Sequence, residues 1–379
     1  MRYAIVTETY PPQINGVALT VQGLEQGLRG RGHRVELVRP GHADLSARAD
    51  ELLVRGAGLP RYPGLQFGLP ATRRLLLHWH RHRPDAVYVA TEGPLGWSAV
   101  RAARRLAIPV ATGFHTRFDE YMGDYGVPWL RAAALSWMRR VHNQADATLV
   151  PTAELRQELA GLGFRRVVLL RRAVDAALFS PQRRDPALRA QWGVEGEGLV
   201  VVHVGRIAAE KNLALAVQAF RQLQRRRPKA RFVWVGDGPQ REALARANPD
   251  FIFCGIQRGE ALARHFASAD LFLFPSRSET FGNVTLEAMA SGVPTVAFDY
   301  GAAREHLRGS GGGTVVADEA GFVDAAGRLA DDDALRRAMG HAASLAMRHL
   351  HPQQVAADFD RLLSGLALPP ENRHVVHAA

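Results

Sequence analysis

The sequence predicts an α/β fold made of two doubly wound domains facing across a cleft, and three observations predict it. Short apolar runs alternate with amphipathic stretches from end to end, the pattern of βαβ units whose helices cover a parallel sheet. At 379 residues, 47% of them hydrophobic, the chain exceeds what one core usually accommodates. The alternation also falls into two series, joined by a stretch rich in Arg, Asp and Pro after Phe179-Ser180-Pro181.

In the first series the expected strands are Tyr3–Thr7, Arg34–Val38, Ala86–Ala90, Pro109–Gly113, Ala147–Val150 and Val167–Leu170. Each is a short run of Val, Ile, Leu, Ala or aromatic residues without polar alternation, as a strand buried on both faces requires. Val17–Arg29, Trp97–Leu106 and Ala153–Leu162 carry the helical period between them. The second series has strands Leu199–Val204, Arg231–Val235, Phe251–Cys254, Leu271–Phe274 and Pro294–Ala297, with helices Leu213–Arg225, Arg241–Ala247, Glu260–Ala267 and Val284–Ala290. The boundary is set near residue 175, giving domains 1–175 and 176–352. A last amphipathic helix near Gln354–Leu363, in segment 353–379, is expected to pack back on the first domain, with Pro369–Ala379 frayed.

Composition narrows the function. No run of about 20 apolar residues occurs, and Met1-Arg2-Tyr3 leads straight into a strand, so a cytoplasmic protein is expected. The single cysteine, Cys254, rules out a disulfide framework and reads as a buried small hydrophobe. The formal net charge of +11 points to an acidic partner, yet of 48 basic residues only Lys211 and Lys229 are lysine, and that bias towards arginine accounts for much of the charge. A lysine in such a chain marks a place where a compact ammonium is wanted.

Doubly wound sheets bind ligands at the carboxyl ends of their strands. Neither Thr7–Gly16 nor the turn after Val204 has the G-x-G-x-x-G of a dinucleotide site. After Val204 come Gly205-Arg206-Ile207-Ala208-Ala209-Glu210-Lys211, whose guanidinium and ammonium suit a diphosphate, although such a pair is often only solvated surface. After Phe274, the stretch Ser276–Pro294 opens a helix with Glu279 in the loop and Glu287 a turn inside. The amides of Phe281, Gly282, Asn283 and Val284 stand at the helix N-terminus, where an anion is favoured. Two carboxylates beside an anion site make sense when they hold neutral hydroxyls while the amides take the charge. A nucleotide-diphosphate sugar has both parts. The bland alternative is a capping carboxylate and a solvated helix residue.

Gly205-Arg206…Lys211, the turn Val235-Gly236-Asp237-Gly238-Pro239, and Glu279-x7-Glu287 ending in Glu287-Ala288-Met289-Ala290 resemble the retaining GT-B glycosyltransferases of the E-x7-E type. In the first domain, Glu8-Thr9-Tyr10-Pro11-Pro12, Asn15-Gly16-Val17, Thr91-Glu92-Gly93-Pro94-Leu95-Gly96 and Phe114-His115-Thr116-Arg117-Phe118-Asp119-Glu120-Tyr121 are similar to the subgroup of GDP-mannose-dependent mannosyltransferases and sulfolipid synthases. One departure is Ala173, where Arg-Gly-Val-Asp is common.

The resemblance implies two Rossmann-like domains in a GT-B arrangement, the first binding the acceptor and the second the donor. It implies retaining, metal-independent transfer of a hexose, mannose from GDP-mannose as the first choice, to a glycerolipid or glycolipid, on the inner membrane face. Arg206 and Lys211, with Gly205, would neutralise the leaving diphosphate, and Glu287 would bind the ribose hydroxyls. Glu279 and the amides of Phe281, Gly282, Asn283 and Val284 would hold the sugar, while Ile256 would offer its backbone to the base. Gly16 would let the diphosphate approach, and His115 would bond the transferring sugar unless it is a satisfied strand-end histidine.

No cofactor is called for. Asp331-Asp332-Asp333 reads as the acidic start of a helix rather than a metal site. His78, His80 and His82 lie on a basic amphipathic helix from about Ala71, with no carboxylate in sight for zinc. With Arg73, Arg74, Leu75, Leu76, Leu77 and Trp79, that helix could instead lie on an anionic membrane, and Arg101, Arg104, Arg105, Arg139 and Arg140 would extend the patch. Nucleic acid is not expected as a partner, for no binding module accompanies the charge. A nucleotide-sugar epimerase on the same architecture is the nearer alternative, and acceptor dependence separates the two.

Overall fold

The computed structural model describes residues 1–13, 15–41, 48–59, 62–117, 128–194, 196, 198–277 and 279–368. The tail from Pro369 and, within the first-domain motif, Phe118–Tyr121 lie outside the described residues. The chain divides into two compact units. The first holds the described residues up to Arg171 together with those from Pro352 onwards; the second runs from Arg172 to His351.

Unit 1 opens with β1 (Arg2–Val6), α1 (Gly16–Gly30), β2 (Arg34–Pro40), β3 (Glu51–Val54) and the antiparallel hairpin β4 (Gly56–Leu59) and β5 (Tyr62–Gly68). It continues through α2 (Thr72–Arg81), β6 (Ala86–Val89), α3 (Pro94–Arg105), β7 (Val110–Gly113), α4 (Arg131–His142), β8 (Ala147–Val150), α5 (Ala153–Gly161) and β9 (Val167–Leu169). The main sheet has seven strands in the order β3-β2-β1-β6-β7-β8-β9, all parallel. Period-two alternation sends β1 side chains to two cores. Tyr3 and Ile5 meet Val21, Leu24 and Leu28 of α1, while Ala4 and Val6 meet Leu75 and Trp79 of α2 and Leu95 and Ala99 of α3.

That packing corrects the reading of α2 as a membrane helix. Leu75 and Trp79 are buried in the core, so of the apolar residues named for it only Leu77 is exposed. Sequence reading also missed a carboxylate here. Glu36, on β2, accepts from Trp79 Nε1 at 3.1 Å and bonds His78 Nε2 at 2.7 Å.

Unit 2 contains α6 (Pro186–Gln191), β10 (Val200–Val204), α7 (Leu213–Arg226), β11 (Arg231–Val235), α8 (Arg241–Ala247), β12 (Ile252–Phe253) and α9 (Gly259–Ala267). Then follow β13 (Leu271–Phe274), α10 (Asn283–Ala290), β14 (Thr295–Phe298), β15 (Gly313–Val316), α11 (Glu319–Asp331) and α12 (Asp333–Met347). Its six strands are parallel, in the order β12-β11-β10-β13-β14-β15. Val200, Val202 and Val204 face one core and Leu199 and Val201 the other.

The acidic triplet divides between two helices. Asp331 closes α11, Asp332 caps α12 by accepting from the Leu335 amide at 2.8 Å, and Asp333 is its first residue. Ala173 is not among the residues with positive φ, so a side chain in place of the common glycine meets no backbone penalty.

The last helix, α13 (Pro352–Ala367), belongs to unit 1. Phe359 packs edge-on to Tyr88 with centroids 4.9 Å apart. Asp360 accepts from Arg31 Nε at 2.8 Å and Tyr3 Oη at 3.1 Å. Gly27 of α1 lies so close that a Cβ there would come within 2.5 Å of Ala356 Cβ.

Candidate active site

In each sheet the strand order reverses once, between β10 and β13 in unit 2 and between β1 and β6 in unit 1. Crevices at such reversals, beyond the carboxyl ends of the strands, are where doubly wound sheets take ligands.

At the unit 2 reversal, β10 runs into Gly205, whose φ of +150° is outside the usual range of a side-chain-bearing residue. The turn is fixed from the side by the loop after β11. Gly205 N donates to Val235 O at 3.0 Å, Ile207 N to Asp237 O at 3.0 Å and Gln240 N to Ile207 O at 3.0 Å. Gly236 N in turn donates to Gly255 O at 2.8 Å, tying in the loop after β12 where Ile256 stands exposed. The residues that follow deliver both cations. Arg206 Nη1 lies 3.4 Å from Glu210 Oε1, and Lys211 Nζ is ion-paired with Glu279 Oε1 across the reversal. Both members of that pair are largely shielded from solvent.

Glu279 is held from a second side. Ser276 Oγ donates to its carboxylate at 3.2 Å, its own amide donates to Tyr300 Oη at 3.1 Å, and Tyr300 Oη donates to Ser276 O at 2.9 Å. Beneath the turn, fully buried His203 has Nδ1 3.2 Å from Leu273 O, which accepts only, so Nδ1 carries the proton. Burial pushes the His203 pKa down to about 4, and its Nε2 has no hydrogen-bond partner. A neutral imidazole is what a site already holding Lys211 tolerates.

Helix α10 starts from Gly282, in the left-handed region at φ +88°, with no side chain capping its first amides. A Cβ on Gly282 would sit 3.1 Å from the Phe274 ring, so the glycine also lets the loop lie down on the core. Phe281 is buried and its carbonyl accepts from Ala302 N at 2.8 Å, leaving Asn283 and Val284 to open the helix. One turn in, Glu287 has its Oε2 shut off from solvent without a hydrogen-bond partner, and desolvation pushes its pKa up to about 7. An acceptor that lacks donors costs about 1–3 kcal/mol. Such a cost is common where a ligand supplies the missing groups.

The structure therefore gathers Gly205, Arg206, Lys211, Glu279, Phe281, Gly282, Asn283, Val284 and Glu287 on the two segments that flank one strand-order reversal. Gly16 and His115 belong to unit 1. Gly16 is the exposed first residue of α1, whose cap Asn15 accepts from Ala18 N at 2.8 Å and donates to Thr9 Oγ1 at 2.6 Å. His115 follows β7, with Nε2 2.7 Å from Tyr88 Oη. A Cβ on Gly113 would come within 2.1 Å of that hydroxyl, which explains the glycine.

Residues 14–178 match the model described as glycosyltransferase family 4, and residues 198–332 match glycosyl transferases group 1. A GDP-mannose-dependent alpha-mannosyltransferase of Mycobacterium tuberculosis (strain CDC 1551 / Oshkosh) is 34% identical over 316 residues, 80% of this chain and 81% of the relative. The chain belongs to the glycosyltransferases. An alpha-monoglucosyldiacylglycerol synthase of Streptococcus pneumoniae is 26% identical over 78% of this glycosyltransferase and 71% of its own length. Sucrose-phosphate synthase from Thermosynechococcus elongatus shares the fold at TM-score 0.77 and 19% identity, covering 96% of this glycosyltransferase and 98% of that chain.

Sequence reasoning missed the side chains that hold this glycosyltransferase's site in place. Tyr300 stands 21 residues beyond Glu279, past a helix and a strand, and nothing local marks it. His203 carried the one available signal, a titratable residue inside a run of valines.

Proposed function

We propose that this glycosyltransferase moves a hexose, with mannose from GDP-mannose as first choice, onto a glycerolipid or glycolipid acceptor with retained anomeric configuration and without a metal. The carrying observation is Glu287, whose Oε2 is shut off from solvent and short of donors one turn inside a helix whose first amides have no side-chain cap. A ribose supplies hydroxyl donors to Glu287, and a diphosphate suits the helix amides, Arg206 and Lys211. Unit 2 then holds the donor and unit 1 the acceptor. The mannosyltransferase relative supports the choice of donor and the diacylglycerol relative the lipid acceptor.

In the transfer step the bond from the anomeric carbon to the diphosphate breaks and the nucleoside diphosphate leaves. The acceptor oxygen bonds the anomeric carbon on the same face, and its proton passes to a phosphate oxygen of the leaving group. Charge accumulates on the diphosphate, so the groups that matter most are cations already in place. Lys211, fixed by Glu279, meets that need. Gly16, His115 and Ile256 keep the roles that the resemblance assigns.

No described helix is long and apolar enough to cross a membrane. A lipid acceptor calls for contact with the membrane surface instead. Support for a docking face lies on α3 and α4, where exposed Trp137 packs on Trp97 at 5.2 Å between centroids. Arg101 and Arg140 lie over the Trp97 ring, and Trp129 is 76% exposed nearby in the chain. Aromatic and basic residues together suit an anionic interface.

Thermal unfolding with GDP, UDP, ADP, GDP-mannose and UDP-glucose tests the donor site, because a ligand of the folded state raises Tm by mass action. One nucleotide and its sugar should raise Tm selectively in the wild type, and Glu287→Ala should shrink the shift. No shift with any of them would overturn the reading.

A further inference from the structure

Unit 1 has its own reversal, and what lines it differs in charge from unit 2. The loop after β1 and the loop after β6 are tied there by Glu8 N donating to Thr91 Oγ1 at 3.0 Å. The Glu8 side chain crosses to the second loop. Its Oε1 accepts from the Leu95 amide at 2.9 Å, the Gly96 amide donates to the same carboxylate, and Oε2 lies against the bare backbone of Gly93. A Cβ on Gly93 would stand 2.1 Å from that oxygen.

A carboxylate has about four acceptor positions, and two amides occupy two of them. Among the described residues no cation pairs with Glu8. Burial accordingly pushes its pKa up to about 7. Glu92, the other carboxylate of the loop, is buried 4.0 Å from His142 Nε2 with its Oε1 lacking a hydrogen-bond partner, and its negative charge adds to that of Glu8. At the corresponding place unit 2 presents Lys211. Where unit 2 offers a cation for a phosphate, unit 1 fills the N-terminus of α3 with a carboxylate of its own. Above about pH 7, where Glu8 is ionised, a phosphate brought there meets like charge, whereas a hydroxyl finds an acceptor short of donors.

Building on the reading of unit 1 as the acceptor domain, we propose that Glu8 determines acceptor specificity: its carboxylate accepts a hydrogen bond from an acceptor hydroxyl and turns phosphate away. The acceptor thus presents an uncharged sugar or polyol to unit 1.

The test measures transfer by the full chain into mixed micelles of a neutral monohexosyl-diacylglycerol or of phosphatidylinositol. The wild type should prefer the neutral lipid in kcat/KM. Glu8→Gln, which keeps an oxygen for the Leu95 amide, should raise KM for the neutral lipid about tenfold, as loss of one hydrogen bond to a charged group implies. It should narrow the preference against phosphatidylinositol while leaving nucleotide affinity unchanged. An unaltered KM, or a joint fall in kcat and nucleotide affinity, overturns the proposal in favour of a scaffold role. Should Glu8→Gln not fold, Glu8→Asp keeps the charge but withdraws it; KM should rise with phosphatidylinositol still rejected, and a lost preference contradicts the proposal. A wild type that binds no nucleotide and glycosylates neither lipid refutes the transferase reading itself.

Discussion

Lys211→Ala is expected to lower kcat for transfer by about 10²–10³-fold, with Arg206→Ala showing the smaller loss. Both cations lie in the turn after β10, but they are held differently. Lys211 is paired with Glu279 across the strand-order reversal and is largely shielded from solvent, whereas Arg206 is half-exposed beside Glu210. A charge fixed in a low-dielectric setting acts on the departing diphosphate without first reorganising, and an exposed one is screened. The loss should appear mainly in kcat, because negative charge on the diphosphate is greatest in the transition state. Steady-state kinetics at saturating donor measures it. Equal losses in kcat would contradict the ranking by shielding, and a change confined to KM would show that the cations bind the donor no more tightly in the transition state than in the ground state.

Gly236→Ala should have the largest effect on stability, about 3 kcal/mol or more, and should abolish nucleotide binding. At φ +138° a side chain is strained, and a Cβ would fall 1.9 Å from Gly205 O. Relief requires moving either the turn that carries Arg206 and Lys211 or the loop after β11, which are joined by backbone hydrogen bonds. Gly23→Ala in α1 is the matched control, because a Cβ there meets nothing within 4 Å and alanine is the better helix former. Urea unfolding followed by fluorescence should show a fall for Gly236→Ala and none for Gly23→Ala.

Much of the fold was legible because doubly buried strands are short apolar runs with little else to be. Ala147–Val150 and Arg231–Val235 have the same bounds in the sequence reading and in the structure. Glu51–Val54 and Gly313–Val316 escaped notice, the first because Glu-Leu-Leu-Val suits a helix equally well, the second because it follows a glycine run that reads as loop. The helix Thr72–Arg81 shows a different limit. Its basic face and its Leu and Trp were plain in the sequence, but which of the apolar residues faced the core depended on β2 and its Glu36.

In the site, the local motifs carried the legible part: Gly205–Lys211 and Glu279–Glu287 each lie on one segment after one strand. The contacts that orient them were illegible, because they join residues far apart in sequence. Lys211 meets Glu279 across 68 residues, and Tyr88 meets His115 across 27. Nothing local to Glu8 marks a role for it, since only the folded loop reveals that its carboxylate reaches Leu95, 87 residues on.

The central claim is hexosyl transfer, and the most direct measurement is to incubate the protein with GDP-mannose labelled in the sugar and with diacylglycerol-based glycolipid micelles. The lipid extract is then assayed for label and the product's anomeric configuration read by NMR. The account predicts label in the lipid as an α-glycoside, with one GDP released per sugar transferred and no dependence on added lipid in the binding of GDP itself. Label that stays in the aqueous phase with every nucleotide sugar, or an altered sugar nucleotide formed without acceptor, would contradict it.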